Sequence, residues 1–321
     1  MIQADARTRR GAPAELIEKK GRRLPKAKEL DREEARELLG AMLDRTARTH
    51  EINALLRAYR LKGETVAELA GFVSALDERL ARFDAAPDKP RPVVLPSYAG
   101  VRRKANLTAL LALLLRRYGV PVLLHGTADA ARHFGRVTTV AVLRELGIEP
   151  ASSVEQARQT LLEQALVFVP IDVLAPAFGS LFRAHEASDR SAAALARLVD
   201  PFRGAGFRVI GVTRLENLAR MRAFLEATRG DALLLRGIEG ESYADPRRQP
   251  QLEWFDKGLG NVLFKAESPR GSLPAAPPGA ADACATAAWT ASALAGEVPI
   301  PQPILNQLAC CLHATRRVPE G

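Results

Sequence analysis

Long apolar runs are missing from this sequence. No stretch approaches the ~18 residues that a membrane-spanning helix needs, so no such span is expected. Arg7, Arg9 and Arg10 are not followed by an apolar segment, unlike the start of a secretory leader. Asp5, Glu15 and Glu18 also argue against a mitochondrial presequence. Cysteine is scarce, with only Cys284, Cys310 and Cys311. The count is odd, no C-x-x-C occurs, and no His lies at zinc-finger distance from a Cys pair. A disulfide framework or zinc site is therefore not expected, and the thiols read as small core residues in a reducing cytoplasm. There is no G-x-G-x-x-G, no Walker loop, no legible Ser-His-Asp or Cys-His arrangement and no internal repeat.

What is present is positive charge. The net charge is +9, from 46 Lys and Arg against 37 Asp and Glu in 321 residues. Such a balance favours a polyanionic partner, nucleic acid first and acidic membranes second, or it is solubility charge from an arginine-rich composition. Apolar residues make up 47%, and Gly and Pro punctuate the chain regularly, as in a globular protein long enough for two domains. Lys19, Lys20, Arg22, Arg23, Lys26 and Lys28 form a basic cluster that reaches phosphates or is simply solvated.

The chain divides into a helical and an alternating part. Asp31 opens a helix with Glu34 as capping-box partner, and Leu38, Leu39 and Met42 form its apolar face. Further helices are expected near Thr49–Leu61 and Glu64–Arg82, with AAPDKPRP (85–92) as a linker. From Val93 the pattern becomes β-loop-α-β. Val93–Leu95 reads as a buried strand, 96–104 as a loop, 105–118 as a helix and Val120–Leu124 as a strand. Helices follow at 130–146 and from Ser153 to Gln164, then a strand at Leu166–Val169 and helices at 173–186 and 190–199. A strand at Phe207–Gly211, a helix at Asn217–Thr228 and a strand at Ala232–Leu235 come next. Edge strands at 251–255 and 261–265, a loop at 269–279 and helices at 280–294 and 304–313 close the chain. The expected fold is α/β: a small N-terminal helical bundle, residues 1–88 joined by helices from about 173–199, and a larger domain, 89–321, with a mostly parallel sheet. The bundle is too small to stand alone and must pack on something else or on a second copy.

In open α/β sheets ligands bind beyond the carboxyl ends of the strands. Arg102, Arg103 and Lys104 lie in such a loop. With one Gly and a bulky Tyr98, that loop offers side-chain charge rather than a tight cradle of N–H groups. Tyr98 either stacks on a base or packs in the core. Arg190 and Arg197 are seven residues apart and share a helix face, with Arg183 seven before. They track a phosphate backbone or form a solvated face. RGIEGESYAD (236–245) follows a strand, with Arg247 and Arg248 just after it. Glu239 and Glu241 there are either Mg²⁺ ligands or salt-bridge partners. His125, at a strand end, is the best placed histidine.

The segments LPSYAGVRRKANLTALLALLL (95–115), GVPVLLHG (119–126) and GIEGESYADPRRQPQ (237–251) resemble the anthranilate phosphoribosyltransferase and class II nucleoside phosphorylase superfamily, and within it the YbiB-type DNA-binding branch. The resemblance runs from about Leu16 to Leu312. It implies a homodimer joined through the helical domain, with basic grooves that bind DNA or RNA with little sequence preference. The superfamily's enzymes wrap the pyrophosphate of phosphoribosyl pyrophosphate (PRPP) with a Gly-Thr-Gly-Gly-Asp loop, which here reads PSYAGVRRK. Their Lys-His-Gly-Asn is Leu124–His125–Gly126–Thr127 here, and their Asp-Glu metal pair falls within Ile238–Glu241. Asn106–Leu107–Thr108 matches their helix start, and Arg190 aligns with an acceptor-site Arg.

The leading expectation is a cytoplasmic, non-enzymatic nucleic-acid-binding homodimer without cofactor. Its contacts would be Arg102, Arg103, Lys104, Arg183, Arg190, Arg197, Arg247 and Arg248, with Lys19, Lys20, Arg22 and Arg23 as outer contacts. The rival is a Mg²⁺-dependent phosphoribosyltransferase acting through His125, Asn106, Arg190 and Glu241.

Overall fold

Capping boxes start the two described helices of the first segment. Asp31 Oδ1 accepts from the Glu34 N–H at 2.9 Å while the Glu34 carboxylate accepts from the Asp31 N–H. Thr65 and Glu68 do the same for the next helix. The computed structural model describes residues 29–44, 63–128, 135–185, 194–267 and 282–316, with only the backbone of 182–185. The expected helix at 49–61, the basic cluster 19–28, the loop 269–279 and Arg190 lie outside the described residues.

The chain separates into two units, one of residues 1–80 and 175–199, the other of 81–174 and 200–321. In the first, α1 (Arg32–Leu43) packs on α2 (Val66–Asp77). Ala35, Leu38, Leu39 and Met42 of α1 and Leu69, Phe72, Val73 and Leu76 of α2 are buried. Burial of each such large side chain contributes about 1.5–3 kcal/mol. Buried Glu68 also accepts from the Leu30 N–H at 2.9 Å, tying the entry of α1 to α2. The helices approach so closely at Gly71 that a Cβ there would stand 2.2 Å from the Arg32 carbonyl oxygen. A further described helix of this unit, α7 (Pro176–His185), follows the second unit's short α6 (Ile171–Leu174) after a break at Ala175. Pro176 explains the break, since it has no N–H to continue the earlier turn.

The second unit holds a seven-stranded sheet. Its strands are β1 (Val93–Ser97), β3 (Val122–Gly126), β5 (Leu166–Pro170), β6 (Phe207–Val212), β7 (Ala232–Arg236), β8 (Leu252–Asp256) and β9 (Leu259–Phe264). They lie in the order β5-β3-β1-β6-β7-β8-β9. The neighbours from β5 across to β7 are parallel, and β8 and β9 run antiparallel at one end. Val93, Leu95, Val122, Leu124, Phe168, Val209, Leu233 and Leu235 share one face. That face joins the apolar residues of α3 (Thr108–Arg117), α4 (Thr139–Glu145), α9 (Ala283–Ala295) and α10 (Gln302–Thr315). Val94, Leu123, Val167 and Leu234, which alternate with them, are buried as well. Both faces are therefore covered, which is why these strands read as unbroken apolar runs. Helices α5 (Val154–Gln164) and α8 (Leu215–Thr228) complete the layers. At the sheet's end, Leu259 to Leu263 of β9 are exposed.

One expected element changes. Of the helix read over 130–146, residues 130–134 lie outside the described residues, 135–138 are not helical, and a helix starts after Thr138, whose hydroxyl caps it by accepting from the Ala141 N–H. Before it, β4 (Arg136–Val137) is extended and pairs antiparallel with β2 (Val101–Arg102). The apolar spacing that reads as one helix merges a two-residue strand with a short helix, and β-branched Val137 suits the extended form.

Gly71→Ala should destabilise the helical unit by about 1–3 kcal/mol, because a methyl has no room against the Arg32 carbonyl. A shift in the urea midpoint of the full chain measures this, and an unchanged midpoint would show that the pair of helices can separate freely.

Candidate functional site: the carboxyl end of the central strand

From β1 the chain moves to β3 and β5 on one side, then crosses to β6 and β7 on the other. The strand order thus reverses between β1 and β6, the position where open α/β sheets take their ligands. The two strands pair only at Val93–Phe207 and Val94–Arg208, whereas β1 and β3 stay paired to Ser97–Gly126. Beyond Val94, β1 and β6 diverge, and their backbone groups need other partners.

The segment 237–244 supplies them. Ser242 Oγ donates to the Pro96 carbonyl at 2.7 Å and lies 3.4 Å from that of Val209, bridging the opened strands. Gly237 allows this path, since a Cβ there would meet the Glu241 carbonyl oxygen at 2.0 Å. Buried Gln307 holds the segment from α10, donating to the Ser242 carbonyl and accepting from the Ala244 N–H, both at 2.7 Å. Tyr243 is fully buried and donates its hydroxyl to the Ala105 carbonyl at 3.0 Å. Burial, reinforced by nearby Glu241, Asp245 and Glu239, pushes its phenol well above the ordinary value.

This brings Glu241, fully buried, into the loop after β1. One carboxylate oxygen accepts from the Gly100 N–H at 2.9 Å and the Ala99 N–H at 3.2 Å. The other accepts from Ser97 Oγ at 2.6 Å and stands 3.5 Å from Thr108 Oγ1. Ser97 Oγ also lies 2.8 Å from Thr139 Oγ1. Bonds from neutral donors to a carboxylate contribute about 1.5–3 kcal/mol each, which offsets the cost of burying the charge. Glu239 turns away from Glu241. It pairs with Arg136 and accepts from the Arg102 N–H at 2.9 Å. Arg136 also donates to the Gly100 carbonyl at 2.8 Å. Of the two readings weighed for these glutamates, the salt bridge holds for Glu239, while Glu241 is bonded by neutral donors instead. Among the described residues no group of three or more His, Cys, Asp or Glu is placed to hold a metal.

His125 and Asn106 are also committed inward. Tyr98 is 2% exposed, and its hydroxyl lies 2.7 Å from His125 Nδ1. Base stacking by Tyr98 is thereby excluded, because its ring packs in the core edge-on to the imidazole. His125 Nε2 has no hydrogen-bond partner among the described residues, and burial lowers the imidazole from 6.5 to about 3, so it is neutral. Asn106 donates to the Val137 carbonyl and accepts from the Thr108 N–H, both at 3.1 Å, which starts α3.

The outer rim of the same sheet edge differs. Arg102, Arg103 and Lys104 are exposed, with Arg103 in the left-handed region at φ 52°. Arg214 after β6 and Arg236 at the end of β7 are exposed as well, the first beside exposed Glu216 at 3.1 Å, the second donating to the Thr213 carbonyl. Arg247 and Arg248 precede β8, whose Leu252 pairs with Leu235 and so starts at this edge. Both are exposed, and Arg248 donates to the Glu267 carbonyl. Sequence reasoning names Arg236 only as the start of 236–245 and does not single out Arg214, although Arg236 ends a buried strand and Arg214 lies two residues past one, which is the signal that finds them. Arg183 and Arg197 belong to the other unit; Arg197 is partly buried.

Residues 14–80 match the glycosyl transferase family helical bundle domain. The chain is 37% identical over 303 residues to the uncharacterized protein YbiB of Escherichia coli (strain K12), covering 94% of this chain and 93% of that one. The chain belongs to the YbiB family. This family lies within the anthranilate phosphoribosyltransferase superfamily. The anthranilate phosphoribosyltransferase of Geobacillus thermodenitrificans (strain NG80-2) is 33% identical over 144 residues, 44% of this chain and 40% of that protein. The solved anthranilate phosphoribosyltransferase of Thermus thermophilus shares the fold of this YbiB-family chain with a TM-score of 0.68, at 24% identity over 95% of this chain and 88% of that one. The Saccharomyces cerevisiae enzyme in complex with PRPP and Mg has a TM-score of 0.66, at 13% identity over 94% and 90%.

The imidazole makes stability depend on pH. Folded His125 binds its proton only near pH 3, whereas the unfolded chain binds one near the ordinary 6.5. Its contribution is thus fully present above about 6.5 and is lost progressively as pH falls from there to about 3. His125→Asn should flatten this part of a stability-against-pH curve measured by urea denaturation. An equal slope in both proteins would assign the acid sensitivity elsewhere.

Proposed function

We propose that this protein is a nucleic-acid-binding protein without phosphoribosyltransferase activity, and that it holds DNA or RNA through the phosphate backbone. The observation that carries the reading is the contrast at the carboxyl edge of the sheet. Arg102, Arg103, Lys104, Arg214, Arg236, Arg247 and Arg248 are exposed along it, while Glu241, Glu239 and Asn106 beneath are bonded internally. No ion pair occupies Arg102, Arg103, Lys104 or Arg247 among the described residues. Cations spread over an area suit a repeating polyanion and release its counterions on binding. Both buried tyrosines near this edge, Tyr98 and Tyr243, are unavailable for stacking, so binding by charge alone is expected to be indifferent to sequence.

The rival reading needs room for PRPP and Mg²⁺, which the Saccharomyces relative holds. The residues here do not fit that pair. Glu241 spends both carboxylate oxygens on loop donors, Glu239 is paired with Arg136, and His125 and Asn106 are buried with internal partners. The proposal includes a cytoplasmic protein whose second copy joins through the helical unit, and no cofactor. No helix among the described residues is long and apolar enough to cross a membrane.

Affinity for a duplex or single strand should fall roughly 10³–10⁵-fold between ~50 and ~200 mM salt if ~6–10 phosphates are contacted. Alanine at Arg102, Arg103 and Lys104 together should weaken binding to all sequences alike and lower the salt slope by up to about 3. A flat salt response, or release of pyrophosphate from PRPP with anthranilate or a nucleobase, would overturn the reading. Sedimentation equilibrium should give a mass of two chains.

A further inference from the structure

We propose that β9 is the edge to which a second copy of this chain adds its own β9, antiparallel and about a two-fold axis at Val262. β9 ends the sheet, and among the described residues it pairs with β8 alone. Of the six large apolar side chains exposed among the described residues, three stand here: Leu259 at 73%, Val262 at 47% and Leu263 at 36%. Edge strands are normally guarded by charge, proline or a bulge. From Leu259 to Phe264 there is no charge and no proline, and the guard is the bulge opposite Leu252 and Glu253. Lys257 and Gly258 turn the hairpin with φ of 47° and 85°, the signs of a type I′ turn. Such a turn closes on a hydrogen-bonded pair, here Asp256 and Leu259. Bonding then alternates along the strand, so Gly260 and Val262 point their N–H and C=O groups away from β8, where another strand can take them.

Charge decides what that strand is. The Glu267 N–H donates to the Gln249 carbonyl at 3.1 Å, so the chain keeps to the side of β8 as far as Glu267. Lys257 and Glu267, both exposed, thus mark the two ends of the edge, ~33 Å apart at ~3.3 Å per residue. Neither side chain has a partner among the described residues. Opposite charges at the two ends of one strand complement the same strand reversed. With Val262 against Val262 of the second copy, Lys257 meets Glu267 of that copy, and Glu267 meets its Lys257. The same register lays Gly260 against Phe264 and sets Leu259 along the apolar stem of Lys265. Moving the axis to Asn261 keeps the backbone bonds but puts Lys257 opposite Lys265, and like charges directly opposite repel. An isologous contact makes each interaction twice. One strand a side buries less than the ~1,200–2,000 Å² of a stable complex, so the association is weak and follows concentration. This inference rests neither on nucleic-acid binding nor on pairing through the helical unit.

The test uses the full chain, freed of nucleic acid by nuclease and a high-salt wash, in sedimentation velocity from ~1 to ~300 μM. The native mass should at least double from its dilute value, whether that value is one copy or two. Hydrogen–deuterium exchange over residues 259–267 should slow as concentration rises. Val262→Lys sets two ammonium groups at the axis and should hold the mass at its dilute value. Lys257→Glu and Glu267→Lys should each weaken association at least ~5-fold, and the two changes in one chain should restore it to within ~2-fold of native. These side chains are exposed, so the variants keep the fold, which circular dichroism checks. A native mass that stays constant across the series overturns the proposal. Protection of 259–267 at every concentration would then show that the chain covers this edge itself. Association undiminished by Val262→Lys, single reversals without effect, or a double reversal that fails to restore it also overturns the proposal. So does growth that needs an added oligonucleotide, which would be bridging by the polyanion. A native chain that binds no oligonucleotide leaves the mass series as it is, so the two readings fail separately.

Discussion

The second unit depends on how the backbone is satisfied where its central ladder opens. Strands β1 and β6 part after Val94 and Arg208, leaving carbonyl groups inside the sheet without a neighbouring strand. A buried unpaired backbone group is costly. One short segment resolves this by threading Ser242 between the strands and sending Glu241 into the preceding loop. The packing of Tyr243, the grip of Gln307 and the path through Gly237 all serve that placement. The segment acts as a wedge whose polar atoms replace the missing ladder.

That wedge separates the inside of the edge from its outside. Inside, the Glu241 carboxylate is met by hydroxyl and N–H groups, and Arg136 is taken up by Glu239. Outside, arginines end the strands with little acidic compensation. The fold itself is shared with the solved anthranilate phosphoribosyltransferases. In this chain the donors at the reversal of strand order are spent on its own side chains, and the exposed rim beyond them is rich in arginine. Function is grafted onto the ends of strands, and the sheet beneath tolerates either use.

Much of this architecture was legible in the residues. The buried parallel strands were visible because apolar runs such as Leu166–Val169 admit little else between turn residues. The capping pair Asp31–Glu34 located a helix start to the residue. The short strand at Arg136–Val137 was hidden because two residues carry no period, and their partner at Val101–Arg102 is distant in sequence. The site was legible only in part. The loop cations could be placed because they follow a strand. The inward turn of Glu241 could not, because Ile238–Gly240 makes a single turn with Glu239 at φ 52°, and that local geometry decides which carboxylate faces the core. Tyr98 reads more readily as a core residue than as a stacking one, and His125 beside it decides the matter, a contact that depends on the pairing of β1 with β3.

The helical unit is assembled from two stretches of chain, 1–80 and 175–199, with a large part of the sheet encoded between them. During synthesis the first stretch leaves the ribosome about 120 residues ahead of its completion. At ~5–20 residues per second this is a wait of roughly 6–24 s. Helices α1 and α2 must therefore persist as an incomplete pair, or stay loosely formed, while β1, β3 and β5 are being made. The capping boxes each close within four residues, and the contact of Gly71 with Arg32 lies wholly within the first stretch, so neither needs the later one, which gives this pair a means of surviving the delay.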